Sequence, residues 1–442
     1  MIRRNNCHRL PVLATIVAGI ICFSSVAQPV VAQISFDQEP INYASGAVND
    51  AVAKLQKQID DGAVELEFDD EHGYLKSVLN ALDVPTSSQM LVFSKTSFQL
   101  RRISPSSPRA LYFNDDTYVG WVPHGDVVEV SSVDPQQGAI FYTLLQEETE
   151  QPKFVRDQGN CLTCHASSRT QGVPGHLVRS VYPAASGQPH FGAGTFRTDH
   201  TSPLKQRWGG WYVTGTHGRQ RHMGNGIAAN RDRPSLDVEA GANVTDLSKL
   251  TRTNQYLTSH SDIVALMVLE HQTEMHNFIT LANYETRMAL HHGTVMNRAL
   301  ERPQDFVSES TQRRISSATE KLLKYMLFAE ETPLTDKIAG TSDFAQEFVA
   351  LGRQDTQGRS LREFDLQCRI FKYPCSYLIY SDAFLALPAQ VKDRVYQRLW
   401  EILSGKDQSD TFAHLTPHDR TAIYEILRDT NSDLPKYWQA AE

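Results

Sequence analysis

Hydrophobic spacing changes in character along the first third of the chain. Apolar residues recur at steps of three and four over 45–63 and again over 73–84, which predicts two amphipathic helices. From Gln89 to Leu145 they instead form short runs separated by turn residues, which predicts strands. The predicted strands lie in the runs QMLVFSK, ALYFND, TYVGWVP, DVVEVSSV and AIFYTLLQ. Residues 33–150 are therefore expected to form a small sheet-bearing unit.

The second half of the chain has a helical pattern. Residues 150–257 are rich in Gly, Pro, Asn, Thr and Arg, a composition typical of loops. From Ser261 apolar residues recur at helical steps, and three more amphipathic helices are predicted in TQRRISSATEKLLKYMLFA, AQVKDRVYQRLWEILSG and TPHDRTAIYEILRDT. The fold class predicted is α+β, with a second part at 151–305 and a third, helical part at 306–442.

The N-terminus has the layout of a secretory signal peptide. Three arginines within the first nine residues precede an apolar run from Leu10 to about Val26, and small residues end at Ala27 or Ala32. We expect residues 1–32 to be removed and the product to be periplasmic or secreted, with no stable membrane insertion. An uncleaved membrane anchor is the alternative.

Charge and cysteine content agree with an exported protein. Loss of residues 1–32 removes three arginines and no acid, so the formal net charge moves from −8 to −11, which disfavours nucleic acid as a partner. Four cysteines then remain, and in an oxidising compartment they are expected to be bridged, metallated or covalently capped. For Cys368 and Cys375 a local disulfide is predicted, with two buried thiols as the alternative.

The other two cysteines belong to the segment Cys161-Leu162-Thr163-Cys164-His165. For this composition the chance of such a C-x-x-C-H motif is on the order of 0.003, so an accident is disfavoured. A zinc site would need two more ligands at close spacing, and a thioredoxin-like redox pair would need a flanking strand and helix. Covalent haem explains every position, because two thiols can form thioethers to the porphyrin vinyl groups and the histidine then meets the iron.

The motif resembles the haem-attachment site of c-type cytochromes. The tracts SPRALYFNDDTYVGWV, RWGGWYVTGTHG and YPCSYLIYS are in addition similar to those of long, secreted bacterial cytochrome-c-like proteins. The resemblance implies one haem c per chain, thioether bonds at Cys161 and Cys164, and His165 as the proximal iron ligand. It implies a cytochrome-c-like haem region after the sheet-bearing unit, and it carries no catalytic residues across.

The sixth iron ligand is predicted from the segment 207–225. Met223 is the first candidate, because it follows the motif histidine at a separation usual for methionine ligands in small c-type cytochromes, and His222 and His217 come next. His271 and His276 on the predicted long helix are a second source, although such a stripe is more often plain core. 

The leading hypothesis from the sequence is an exported monohaem cytochrome that carries out electron transfer with an unidentified redox partner. The alternative is a haem enzyme, peroxidase-like or oxygenase-like, with an open sixth position on the iron. The size of the chain favours the alternative, since one haem needs only about a hundred residues to hold it. Candidates for contacts to the haem propionates are Arg207, Arg219 and Arg221.

Overall fold

The computed structural model describes residues 35–229 and 235–439. The predicted signal peptide lies outside these residues. Nine α-helices are described, namely α1 Ala51–Asp60, α2 Leu75–Ala81, α3 Leu162–His165, α4 Ile263–Ala299, α5 Glu309–Met326, α6 Phe344–Ala350, α7 Asp382–Leu385, α8 Ala389–Leu403 and α9 Pro417–Thr430. Eight strands are described, namely β1 Met90–Val92, β2 Arg109–Phe113, β3 Thr117–Trp121, β4 Val127–Asp134, β5 Gly138–Leu145, β6 Phe154–Arg156, β7 Val178–Val181 and β8 Thr195–Thr198. The predicted α+β class is confirmed.

The sheet is a simple antiparallel meander. Strands β1 to β6 pair in chain order, and β7 and β8 form a separate two-stranded hairpin. Each predicted strand is present, because the short apolar runs alternate between the two faces of the sheet. Strands β6, β7 and β8 lie in the segment that the composition predicted to be loop.

The two faces of the sheet pack against different layers. One face shares a core with α1 and α2, and it contributes Leu91, Tyr112, Val119, Val130 and Tyr142 to that core. The other face contributes Met90, Phe113, Tyr118 and Val133 to a larger core formed mainly by the C-terminal helices. The sheet is therefore the middle layer, covered by helices on both sides.

Helix α4 joins the helical layer to the sheet. Its N-cap is Asp262, whose carboxylate accepts from the N–H groups of Val264 and Ala265. The side chain of Gln272 donates to the hydroxyl of Tyr118 on β3 at 2.9 Å.

The described residues form one compact unit, so the predicted parts 33–150, 151–305 and 306–442 all lie within it. No helix among the described residues is long and apolar enough to cross a membrane.

Candidate functional site

The C-x-x-C-H motif forms a single helical turn, which a short loop over 157–160 separates from the edge strand β6. Just before the turn, the carboxylate of Asp157 accepts hydrogen bonds from the N–H groups of Gly159 and Cys161, each at 2.9 Å. The N–H of His165 then donates to the carbonyl of Cys161 at 2.9 Å. Cysteines three residues apart lie on the same side of such a turn. Cys161 is half-buried, Cys164 is exposed, and both are free thiols.

The imidazole of His165 is held in one tautomer. Its Nδ1 lies 2.9 Å from the carbonyl oxygen of Gly175. A carbonyl oxygen can only accept, so Nδ1 carries the hydrogen and Nε2 keeps its lone pair. Burial lowers the pKa of His165, which favours this neutral form at pH 7. No hydrogen bond from another described residue reaches Nε2, so this nitrogen has the chemistry of an iron ligand.

Beside the motif, part of one sheet face lies outside the helical core. Glu129, Thr143 and Val155 are direct partners on neighbouring strands, so their side chains share this face. Glu129 forms an ion pair with Arg109. Val155 is 53% exposed, and Leu145, two residues from Thr143 on the same face, is 58% exposed. An apolar prosthetic group attached at the motif would find apolar side chains on this surface.

The loop after the motif is fixed to helix α4. The N–H of His176 donates to Oδ1 of Asn277 at 2.9 Å, and Nδ2 of Asn277 donates to the carbonyl of His176 at 2.7 Å. Nδ2 also donates to Glu274 at 2.8 Å, and Gln171 donates to the same carboxylate at 2.6 Å. Burial raises the pKa of Glu274 to about 7.

The aromatic side chain of Phe141 supports the histidines of this loop from the sheet. Its ring lies 4.8 Å from that of His165 and 5.8 Å from that of His176. Nε2 of His176 is 2.7 Å from the hydroxyl of Ser131 on β4. The motif is thus fixed from two directions, by the sheet and by α4.

Met223 is buried beside strand β7. Its sulfur accepts from the hydroxyl of Ser180 on β7 at 3.6 Å, and its N–H donates to the carbonyl of Arg207 at 2.9 Å. Among the described residues, no hydrogen bond joins Met223 to the motif. Separation along the chain did not indicate these partners, and iron binding by Met223 stays a prediction.

His217 and His222 form a buried pair, with ring centroids 4.7 Å apart. Nδ1 of His217 donates to the carbonyl of Gln220, and its Nε2 accepts from the N–H of Asn243. Nδ1 of His222 accepts from the N–H of Gly224, so its Nε2 carries the hydrogen. In these tautomers neither histidine has a lone pair free for iron.

The candidates on α4 are also bonded within the protein. The ring nitrogens of His271 lie 2.9 Å from Nδ1 of His200 and 2.8 Å from the hydroxyl of Ser376. Nε2 of His276 donates to the carbonyl of Asp115 at 2.8 Å. In the described chain the five candidate ligands therefore have other partners, and none of them contacts the motif.

The arginines predicted to contact haem propionates have partners elsewhere. Arg207 is almost fully buried, and its guanidinium bonds the carboxylate of Glu270 at 3.1 Å. Burial raises the pKa of Glu270 to about 7 in spite of this arginine. Arg221 forms a bidentate pair with a surface glutamate, and Arg219 is exposed beside Asp336. None of the three lies at the motif.

The predicted disulfide is not formed in the structure. Cys368 is exposed and Cys375 is buried, and both are free thiols. The N–H of Cys368 donates to the carboxylate of Asp365 in a surface turn, whereas Cys375 belongs to the helical core. Burial raises the pKa of the Cys375 thiol to about 12.

Sequence reasoning missed Gly175, Glu274 and Asn277 as parts of the site. The sequence did hold a signal for Glu274 and Asn277, because polar residues interrupt the apolar pattern of α4 at positions where a surface helix would be apolar.

In residues 35–229 and 235–439, no group of three or more His, Cys, Asp or Glu side chains is placed to hold a metal ion. Comparisons with protein-family models, with curated proteins and with solved structures found no match for the chain.

Proposed function

We propose that this chain is an exported monohaem c-type cytochrome that transfers electrons. The observation that supports the proposal most directly is the arrangement of the thiols and the histidine in the motif. Two free thiols lie on one helical turn, and the following histidine has Nδ1 bonded to a backbone carbonyl and Nε2 without a hydrogen bond from another described residue. Cys161 and Cys164 would hold the haem by thioether bonds, and His165 would bind its iron. Bound haem would supply a one-electron redox centre.

The exposure of the motif supports electron transfer as the activity. Cys164 is exposed, and Cys161 and His165 are only half-buried. The neighbouring sheet surface exposes Leu145 and Val155. A haem attached here would have an edge near the protein surface, where a redox partner could approach it closely.

Export is proposed on the sequence of the N-terminus and on the chemistry of the motif. The arginine-rich start, the apolar run and the small residues before residue 33 have the pattern of a cleaved signal peptide. Haem c is attached outside the cytoplasm, so the two proposals support each other.

The placement of the predicted sixth ligands favours a second candidate function, a haem enzyme with an open iron position. Met223 is bonded to Ser180, and His217 uses both ring nitrogens in backbone hydrogen bonds. Without a methionine or histidine on its sixth position, the iron could bind peroxide, oxygen or another small ligand.

Carbon monoxide binding to the reduced, haem-loaded protein separates the two functions. An electron-transfer site closed by a protein ligand should leave the reduced spectrum unchanged under carbon monoxide. A site open to small ligands should show a shifted Soret band, and this result would favour the enzyme. The Met223→Ala variant is the matched test, because only a sulfur ligand at Met223 would make carbon monoxide binding depend on this substitution.

A further inference from the structure

One peptide group links the motif histidine to helix α4. The carbonyl of Gly175, which accepts from Nδ1 of His165, belongs to the same peptide unit as the N–H of His176. That N–H donates to Oδ1 of Asn277 at 2.9 Å. The three groups form a continuous chain of hydrogen bonds, and each bond polarises the next.

Asn277 is itself held in one orientation. Its Nδ2 donates both to the carbonyl of His176 and to the carboxylate of Glu274, at 2.7 and 2.8 Å. Gln171 and Arg197 bond the other oxygen of that carboxylate, at 2.6 and 3.2 Å. Because an acceptor lies on one side of the amide and a donor on the other, the amide cannot rotate without losing these bonds.

The packing around Gly175 makes this arrangement specific. A Cβ atom at this position would lie 2.0 Å from Oδ1 of Asn277. The loop therefore approaches α4 more closely than a side chain at position 175 would permit. Asn277 is fully buried, so bulk water does not reach its amide in the folded chain.

We infer that Asn277 is the positioning residue of His165, acting through the 175–176 peptide, and that Glu274 fixes the orientation of Asn277. The inference rests on the proposed function, since it assigns these residues to the proximal side of the haem. A hydrogen bond from Nδ1 to a polarised carbonyl makes the opposite nitrogen a stronger donor. A stronger donor stabilises ferric over ferrous iron, so the relay lowers the reduction potential.

The first test uses the full chain without haem. The measurement is the solvent exchange rate of the His165 Nδ1–H, followed by nitrogen-15 NMR and assigned by its loss in His165→Ala. Asn277→Ala removes both bonds to His176, including the one to the N–H of the 175–176 peptide, and exchange is expected to be at least about tenfold faster. Asn283→Ala is the matched control, because Asn283 is also buried on α4 and bonds the carbonyl of Pro135 instead.

A second measurement separates positioning from general loss of structure. The backbone amides of β4 and β5, whose Ser131 and Phe141 contact the histidines of the motif loop, should exchange as slowly in Asn277→Ala as in the wild type. Equal exchange of the His165 Nδ1–H in Asn277→Ala and the wild type, or an equal increase in Asn283→Ala, would overturn the inference. Faster amide exchange throughout β4 and β5 in Asn277→Ala would overturn it as well, because the effect would then be a general loss of structure.

The second test uses the haem-loaded chain and measures its midpoint potential. Asn277→Ala should shift the potential upward, and Asn283→Ala should leave it at the wild-type value. An unchanged potential in Asn277→Ala would overturn the role of Asn277 even if the exchange result held. A wild-type chain that takes up no haem would instead contradict the proposed function, while the exchange measurement on the haem-free chain would still stand.

Discussion

Replacement of Gly175 by alanine tests the contact that fixes the motif loop on α4. The added Cβ would lie 2.0 Å from Oδ1 and 2.9 Å from Cγ of Asn277. An ordinary contact needs about 3.5 Å, so loop and helix must separate by roughly 1.5 Å. The structure gives Gly175 no positive φ, so the contact alone causes the effect.

This separation breaks both hydrogen bonds between Asn277 and His176. Two buried hydrogen bonds contribute about 1 kcal/mol each, and overpacking costs a further ~1 to 3 kcal/mol. We therefore expect Gly175→Ala to lower the free energy of unfolding by about 3 to 5 kcal/mol. Urea denaturation of the full chain, followed by tryptophan fluorescence, measures this change.

Gly192→Ala is the matched control, because a Cβ atom there has no neighbour within 4 Å. Its free energy of unfolding should stay within about 0.5 kcal/mol of the wild type. If Gly175→Ala and Gly192→Ala unfold at the same urea concentration, the close contact between the loop and α4 is refuted.

Two further predictions concern the half-buried carboxylate of Glu331 and the two thiols outside the motif. The carboxylate of Glu331 accepts from the N–H of Ile370, and burial raises its pKa to about 7, so the folded state binds this proton more tightly than the unfolded state does. The stability that protonated Glu331 contributes is therefore lost as pH rises from about 4.5 to 7. Urea denaturation should show that the free energy of unfolding of Glu331→Gln, relative to the wild type, is about 3 kcal/mol higher at pH 8 than at pH 4.5. The same difference between variant and wild type at both pH values would contradict this. Alkylation of the native chain without reductant should label Cys368 and spare the buried Cys375, whereas protection of both thiols until a reductant is added would show a disulfide.

The helices and strands were predictable because they depend on local spacing. The apolar steps after Ser261 predicted α4, and the alternating runs predicted β1 to β5. The predicted helix over 45–63 is shorter in the structure, since Asp50 caps α1 by accepting from Val52 and Ala53.

The surroundings of the motif were not predictable, because they depend on contacts between distant residues. His176 and Asn277 are 101 residues apart, and no local pattern relates them. Met223 was chosen for its separation from His165, but its sulfur is bonded to Ser180 on β7. Chain separation predicts a ligand only when the fold between the two residues is known.

Covalent haem content is the most direct test of the proposed function. The full chain is expressed with its own N-terminus in a host that attaches haem c, and the exported product is extracted with acid acetone before its alkaline pyridine spectrum is recorded. We expect one haem c per chain in the wild type, and none in a variant with Cys161→Ser and Cys164→Ser. A wild-type product without haem, or a double variant that retains haem through the extraction, would contradict the account.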